Sequence, residues 1–350
     1  MNIIASEDRN GDKMNQFNED KVYMVTGAAG FIGYYLCKRL LEAGADVIGY
    51  DVMNDYYDVS LKEDRLSILR KISGDAMNGS FTFIKGDIAN KSALDQVFEL
   101  YHPDVVVNLA AQAGVRYSIE NPEVYIQSNL VGFANILECC RHFGVDHLVY
   151  ASSSSVYGGN TKVPFSTTDQ VDRPVSLYAA TKKSNELMAY SYCKLYGLKA
   201  TGLRFFTVYG PMGRPDMAAF KFANKMVKGE PIQIYNNGDM YRDFTYVDDI
   251  VTGVFNILNN APSEDELGAC YKIYNIGNNK PEKLMDFVAA LEKALGIEAT
   301  KEFLPMQPGD VYQTYADVSE LMKDFDFKPN TSIEEGLGRF AKWYREYYEI

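Results

Sequence analysis

Between Lys21 and Phe205, short apolar runs alternate with amphipathic stretches, the order expected of a parallel sheet flanked by helices. Strands are predicted at Lys21–Thr26, Asp46–Asp51, Phe81–Lys85, Asp104–Ala110, His147–Ser152 and Lys199–Phe205. Helices are predicted at Phe31–Ala43, Lys91–Tyr101 and Ser176–Tyr196. A longer one runs from Pro122 to about Phe143, since proline is tolerated in a first turn. After Phe206 the rhythm breaks: Gly, Pro, Asn and Tyr become frequent and the elements shorten. The fold class is therefore α/β, with a doubly wound parallel sheet over residues 21–205 and a smaller mixed α/β domain over 206–350. Later segments such as Asp248–Asn259 are expected to fold back onto the first domain. Residues 1–20 are polar and read as a disordered lead, without the apolar stretch of a secretory signal.

Composition narrows the partners. Asp and Glu outnumber Lys and Arg by 47 to 35, a net charge of −12, which repels a nucleic-acid backbone. An anionic ligand must then be held by a few placed cations and backbone amides. No apolar run approaches the ~18 residues needed to cross a bilayer, so no membrane partner is expected. Five cysteines (Cys37, Cys139, Cys140, Cys193, Cys270) lack CxxC spacing, and three histidines (His102, His142, His147) lack ligand spacing. The pattern points to a reducing, cytoplasmic setting, with no disulfide framework, no metal and no histidine-based catalysis.

The run Gly27-Ala28-Ala29-Gly30-Phe31-Ile32-Gly33 follows the first strand and opens the first helix. Glycines there tighten the turn, let backbone N–H groups approach a pyrophosphate and let helix and strand pack closely. The free amides and dipole of the helix N-terminus favour the phosphate charge. Gly27, Gly30, Phe31, Ile32 and Gly33 are therefore candidate cofactor residues of a Rossmann-type sheet. A plain tight turn needs the same glycines, but here strand, glycines and helix arrive in order. Eighteen residues after Gly33 the second strand ends in Asp51, whose carboxylate can accept both adenosine ribose hydroxyls and repels a 2′-phosphate. That favours NAD over NADP, with an acidic strand cap as the alternative. Asp87 and Ile88 end the third strand where adenine would lie, although a turn carboxylate explains Asp87 nearly as well.

Tyr178-Ala179-Ala180-Thr181-Lys182 places a phenol and an ammonium on one helix face. The preceding strand ends in Ser152-Ser153-Ser154-Ser155, at the nicotinamide end of a doubly wound sheet. Together with Asn108-Leu109-Ala110-Ala111 and Val156-Tyr157-Gly158, these motifs resemble the extended short-chain dehydrogenase/reductase family from about Lys21 onward. Within it the chain is similar to the NAD-dependent UDP-glucuronate 4-epimerases. That similarity rests on the segments 111–122, 204–211 and Gly213-Arg214-Pro215-Asp216-Met217-Ala218. Residues 242–250 resemble a nucleotide-sugar segment shared more widely in the family. The resemblance implies NAD as cofactor, with Leu109, Ala110, Ala111 and Asn129 near it. It also implies Tyr178, Lys182 and Ser153 as the catalytic set.

The chemistry follows from the residue types. A free phenol has a pKa of ~10, and bringing it near ~7 takes about 4 kcal/mol of preference for the phenolate. Lys182 and the positive nicotinamide are the two cations expected to supply it. Tyr178 then takes the proton of the carbon-4 hydroxyl, which Ser153 orients, while the hydride moves to NAD. The 4-keto sugar turns over and receives hydride and proton on its other face, with no net oxidation. Related 4,6-dehydratases carry an Asp-Glu pair where this chain has Ser154 and Ser155, and the decarboxylases keep a Glu at the second position. Elimination and decarboxylation therefore lose their acid/base.

A UDP-sugar brings two phosphate charges and a uronic acid one more. Arg242 is the candidate for the diphosphate, since guanidinium bonds phosphate in pairs; a solvent-exposed loop arginine is the alternative. Arg214 and Thr207 are the candidates for the sugar carboxylate. Arg116, Ser118 and Ser155 could face the sugar, with Arg116 and Ser118 equally placed to face the cofactor. Asp310 would hold a ribose hydroxyl of UDP or serve as a turn residue. The main expectation is a UDP-glucuronate 4-epimerase; the alternatives are an epimerase of neutral UDP-sugars and a non-catalytic NAD-binding protein. The apolar stretches Val124–Phe143 and Leu187–Tyr196 suit a homodimer, although a core-facing stripe explains them almost as well.

Overall fold

β-branched and aromatic residues fill the central strands, as a sheet buried on both faces requires. The structure is a computed structural model that describes residues 17–307 and 311–350; residues 1–16 of the expected lead lie outside the described residues. β1 (Val22–Thr26), β2 (Asp46–Asp51), β3 (Phe81–Lys85), β4 (Val105–Asn108), β5 (His147–Ser153) and β6 (Ala200–Phe205) lie parallel. The remaining three-stranded sheet contains β7 (Thr207–Tyr209), β9 (Tyr241–Tyr246) and β11 (Pro281–Lys283), and β8 (Ile232–Ile234) pairs with β12 (Lys301–Phe303). β10 (Tyr271–Ile276) leaves that second part of the chain and joins the large sheet, whose order is β10-β6-β5-β4-β1-β2-β3.

Strand side chains alternate between two cores. Tyr23, Val25, Val105 and Val107 meet Leu36, Leu40 and Leu66 of α1 (Phe31–Glu42) and α2 (Ser60–Ser73). Met24, Val106 and Leu148 meet Leu94, Phe98 and Ile136 of α3 (Lys91–Tyr101) and α6 (Gly132–Phe143). The short helices α4 (Tyr117–Glu120) and α5 (Pro122–Tyr125) precede α6, and α7 (Leu177–Tyr196) connects β5 to β6. α8 (Ala218–Val227), α9 (Val247–Ile257), α10 (Leu284–Leu295), α11 (Ser319–Phe325) and α12 (Ile333–Tyr348) complete the chain. The first core continues without a break through Val254, Phe287 and Phe340, and α9 packs on α1, where the 248–259 segment was expected to return.

Two features depart from the sequence pattern. Helix α2 has no counterpart among the predicted elements because its buried face holds Lys62 and Arg65 beside Leu61, Leu66 and Leu69, and the two cations break the apolar period. The helix expected from Pro122 to Phe143 is not uniform: Ile126–Val131 forms a π-helical turn between α5 and α6. Such turns insert a residue into the helical ladder, often at functional sites. Here the inserted stretch carries Asn129.

One buried ion pair fixes α7 to the sheet. Glu186 accepts from Arg204 Nε at 2.8 Å, from Arg204 Nη2 at 2.9 Å and from Ser152 Oγ at 2.7 Å, with both charged side chains 3% exposed or less. Removing one partner leaves an unpaired buried charge, which typically costs ~3–5 kcal/mol. Glu186→Ala should therefore lower unfolding stability by that order in chemical denaturation. An unchanged unfolding curve would mean that the pair does nothing to hold α7.

Candidate active site

The glycine run forms a cradle at the C-terminal edge of β1. Gly27 has φ +73°, and a Cβ there would stand 2.9 Å from Ala110 N, so the turn lies directly against the end of β4. A Cβ on Gly33 would meet Gly27 O at 2.1 Å, which leaves room for no side chain where α1 begins. Gly30 N donates to Gly27 O at 2.9 Å. Helix α1 starts without a side-chain cap and without an acidic residue in its first turn, so the amides of Phe31, Ile32 and Gly33 face outward as an anion site. These features fit a dinucleotide pyrophosphate.

Asp51 closes the cradle. Its carboxylate accepts from Ala29 N at 3.1 Å and Met53 N at 2.8 Å and is only 7% exposed. It braces the glycine loop from the end of β2, the place from which a ribose can be held. Leu109 N donates to Thr26 O and Ala110 N to Thr26 Oγ1, each at 3.2 Å, so Leu109, Ala110 and Ala111 continue along the same edge. Asp87 is exposed and accepts from Ala89 N at 2.9 Å, the bond of a turn carboxylate, while Ile88 is buried against Gly132. Asn129 lies deeper. Its Oδ1 accepts from Gln112 N at 2.8 Å, and its Nδ2 donates to Gln112 O at 2.9 Å and to Thr181 Oγ1 at 3.1 Å. The amide thus clamps the exit of β4 to α7 behind the site.

α7 begins at Ser176, whose side chain caps the helix by accepting from Ala179 N. The first turns then carry Tyr178 and Lys182. Burial pushes the Tyr178 phenol above its ordinary value, against a hydrogen bond with Ser153 and the charge of Arg214. Lys182 is buried and donates to Ala151 O at 2.8 Å; burial lowers its ammonium to about 8. The Lys182 ammonium is turned to the backbone of β5, and the Arg214 charge is a further cation that favours the phenolate. Ser153 caps the turn after β5, accepting from Ser155 N at 3.2 Å and Ser155 Oγ at 2.9 Å, which leaves its own hydroxyl proton directed elsewhere.

On the substrate side the predicted residues scatter more. Arg214 stands close enough to Tyr178 for each to alter the other's ionisation, and it is paired with Asp216. Thr207 is half-buried on β7, opposite Phe244 of β9. Arg242, on β9, donates to Tyr241 O at 2.8 Å and Tyr312 O at 3.1 Å, which ties it to the segment after residue 310. Arg116 lies over the Tyr235 ring at 4.6 Å. Ser118 is buried and donates to Val115 O at 2.6 Å, so its hydroxyl closes its own turn. Asp310 lies outside the described residues.

Three residues at the site are not among the candidates read from the sequence, although Asp216 lies within the segment 213–218. Tyr125 donates to Gly114 O at 2.6 Å and packs its ring edge-on to Tyr178 at 6.0 Å. Tyr56 and Asp216 form a hydrogen bond at 3.2 Å beside Arg214. Beyond that segment, the spacing of Asp216 two residues after Arg214, across a proline, is the signal in the sequence for its contact with Arg214.

Comparison with known proteins identifies relatives of the chain. Residues 23–277 match the model of the NAD dependent epimerase/dehydratase family. The chain is 56% identical to protein CapI of Staphylococcus aureus over 337 residues, covering 93% of this chain and 99% of that protein. It is 47% identical to a probable UDP-glucuronate 4-epimerase of Rhizobium meliloti, covering 93% and 97%. A crystal structure of UDP-glucuronic acid 4-epimerase from Bacillus cereus, with UDP-glucuronic acid and NAD, superposes with a TM-score of 0.83 at 33% identity, covering 93% and 100%. With the cradle, the YxxxK helix and the sheet order in place, the chain belongs to the NAD dependent epimerase/dehydratase family.

Proposed function

We propose that this chain interconverts UDP-glucuronate and UDP-galacturonate by epimerisation at carbon 4, with NAD bound throughout. The observation that carries the reading is the convergence of the Tyr178 phenol, Ser153 and the Arg214 charge at the end of β5, in the same parallel sheet whose β1 leads into the glycine cradle. Relatives named for that reaction, and a structural neighbour holding UDP-glucuronic acid and NAD, support it.

In this reading Gly27, Gly30 and the first amides of α1 hold the pyrophosphate, Asp51 holds the adenosine ribose, and Leu109 to Ala111 line the edge between. Bound NAD supplies the acceptor for the carbon-4 hydrogen and its return. Ser153 orients the carbon-4 hydroxyl, and Tyr178 removes its proton and later restores it. Lys182 holds the helix to β5 and lends a second positive charge to the buried edge. Arg242, with Asp310, takes the UDP portion. Ser154 and Ser155 are not ionisable near neutral pH, so the site has no acid/base there for elimination or decarboxylation. Arg214 and Thr207 take the sugar carboxylate. A neutral UDP-sugar is the second reading, favoured by one observation: Asp216 already pairs with Arg214 and reduces the charge available to a uronate.

We further propose a homodimer formed through the π turn, α6 and α7, where Val131, Leu187, Leu195 and Tyr196 are exposed. No described helix is long and apolar enough to cross a membrane, and a cytoplasmic location is the reading that the unpaired cysteines favour.

Tyr178→Phe should fold and retain NAD but lose turnover by ~10²-fold or more, the usual range for a lost general acid/base. Turnover near that of the parent would remove the phenol from the chemistry. Asp51→Ala should retain less NAD after purification and discriminate less against NADP, measured by cofactor content and by reactivation of stripped protein. Equal behaviour of both dinucleotides in parent and variant would leave Asp51 as a brace of the glycine loop alone.

Arg214→Ala removes the sugar's cation and leaves Asp216 facing the carboxylate unpaired. Truncating one partner of a desolvated charge pair typically costs ~2–5 kcal/mol. Efficiency with UDP-glucuronate should therefore fall by ~30-fold or more, with a much smaller effect on UDP-glucose or UDP-galactose. Kinetics on the three sugars decide it, since equal losses would favour the neutral-sugar reading.

A further inference from the structure

Arg214 does not stand alone. Its Nε donates to Asp216 Oδ1 at 3.0 Å and its Nη2 to Asp216 Oδ2 at 2.5 Å, with each side chain 24% exposed. Tyr56 OH donates to the same Oδ2 at 3.2 Å. Pro215 stands between the two charged residues, and its ring fixes φ of the link. The backbone just before them is anchored by the fully buried Arg65, whose Nη2 donates to Met212 O at 2.6 Å and Gly213 O at 3.2 Å. A pair with a fork geometry, a third hydrogen bond and an anchored backbone is a built feature, unlike a mobile surface ion pair.

Two consequences follow from that geometry. The fork uses Nε–H and one N–H of Nη2, so the other donors of the guanidinium point away from Asp216. A carboxylate bound on that outer edge is attracted by Arg214 and at the same time repelled by the Asp216 carboxylate a few Å behind it. With both side chains mostly buried, that repulsion is not fully screened.

We infer that Asp216 is a positioning residue that aims Arg214 at the sugar carboxylate and, by sharing its charge, keeps that grip weak enough to be released. The inference rests on the reading of Arg214 as the carboxylate's partner. Epimerisation requires the release: the 4-keto sugar must present both ring faces to the same catalytic residues. Its carboxylate, on the neighbouring ring carbon, therefore cannot stay clamped in its first position. An arginine without an internal partner would bind the uronate more tightly and hold it in one pose.

The test is a double-mutant cycle. The parent, Asp216→Asn, Arg214→Gln and the double variant, each carrying NAD, are titrated by calorimetry with UDP-glucuronate, UDP-glucose and UDP, and assayed for turnover. Asp216→Asn is expected to bind UDP-glucuronate about tenfold more tightly while UDP-glucose and UDP are unchanged. Its KM and kcat should fall together. In the Arg214→Gln background the same change should no longer raise affinity. Asp216→Ser, also neutral, provides the same comparison if the asparagine variant folds poorly. A shift shared by all three ligands, or weaker binding of UDP-glucuronate, overturns the inference and leaves Asp216 as support for the loop. If Arg214→Gln is selective for the uronate but Asp216→Asn leaves its affinity unchanged, this inference alone fails. If Arg214→Gln weakens both sugars alike, the carboxylate reading fails first and takes the inference with it.

Discussion

All seven strands of the large sheet point the same way, and that constraint determines where everything else can go. Each strand end delivers its loop to one edge, and α1 begins there with unspent amides. The glycine turn at the end of β1 must pass beside the end of β4, and it does so with only backbone between them, as the 2.9 Å approach at Gly27 shows. A side chain at Gly27 or Gly33 would separate α1 from the sheet and fill the cradle at once. The same parallel arrangement explains why β5, with Ser153 at its tip, and α7, with Tyr178 in its first turn, meet on that edge. Asn129 and the Glu186–Arg204 pair lock the two against their neighbours.

The charge pattern at this edge is more basic than the whole chain's, with Asp51 and Asp216 set among the cations. A protein with net charge −12 gathers Lys62, Arg65, Lys182 and Arg214 around one edge. Arg65 is fully buried and donates to Ala29 O, Tyr57 OH, Met212 O and Gly213 O, so one guanidinium touches both the glycine loop and the loop bearing Arg214. These partners are all neutral and its buried Nε is without a hydrogen bond, a costly arrangement for a cation unless an anion lies near. Local placement of a few cations thus provides what the global field cannot.

Much of this edge is legible in the sequence because it rests on local signals. Gly27 to Gly33 after an apolar run, Asp51 at the end of the next strand and Tyr178 with Lys182 at helical spacing each combine residue type with a predicted element. β2, β3 and α3 even have the bounds that periodicity predicts. The rest depends on contacts distant in the chain. Helix α2 is hidden because two of its buried positions are cations, and a hydrophobic pattern registers only apolar burial. β10 joins the sheet beside β6 from far beyond the composition shift at residue 206, since its alternation is that of any short strand. Asn129 reads as an ordinary helical asparagine until the π turn brings its amide to Gln112 and Thr181. Tyr125, Tyr56 and Asp216 belong to the site only through folding.

The least expected feature is electrostatic. Helical spacing suggests that Lys182 depresses the phenol, yet both groups are buried, and burial acts on them in opposite directions: it raises Tyr178 and lowers Lys182 to about 8. Each shift disfavours a charge, so the protein by itself keeps the phenol protonated at neutral pH. Ser153 and Arg214 work against that, but Arg214 is already shared with Asp216. Ionisation of Tyr178 is therefore tied to further positive charge at the edge, which in an NAD-dependent family comes with the cofactor. A buried phenol that ionises only when further positive charge is present is protected from titration by bulk solvent. The burial that makes Tyr178 a poor acid in isolation also strengthens every charge interaction it makes once the site is filled.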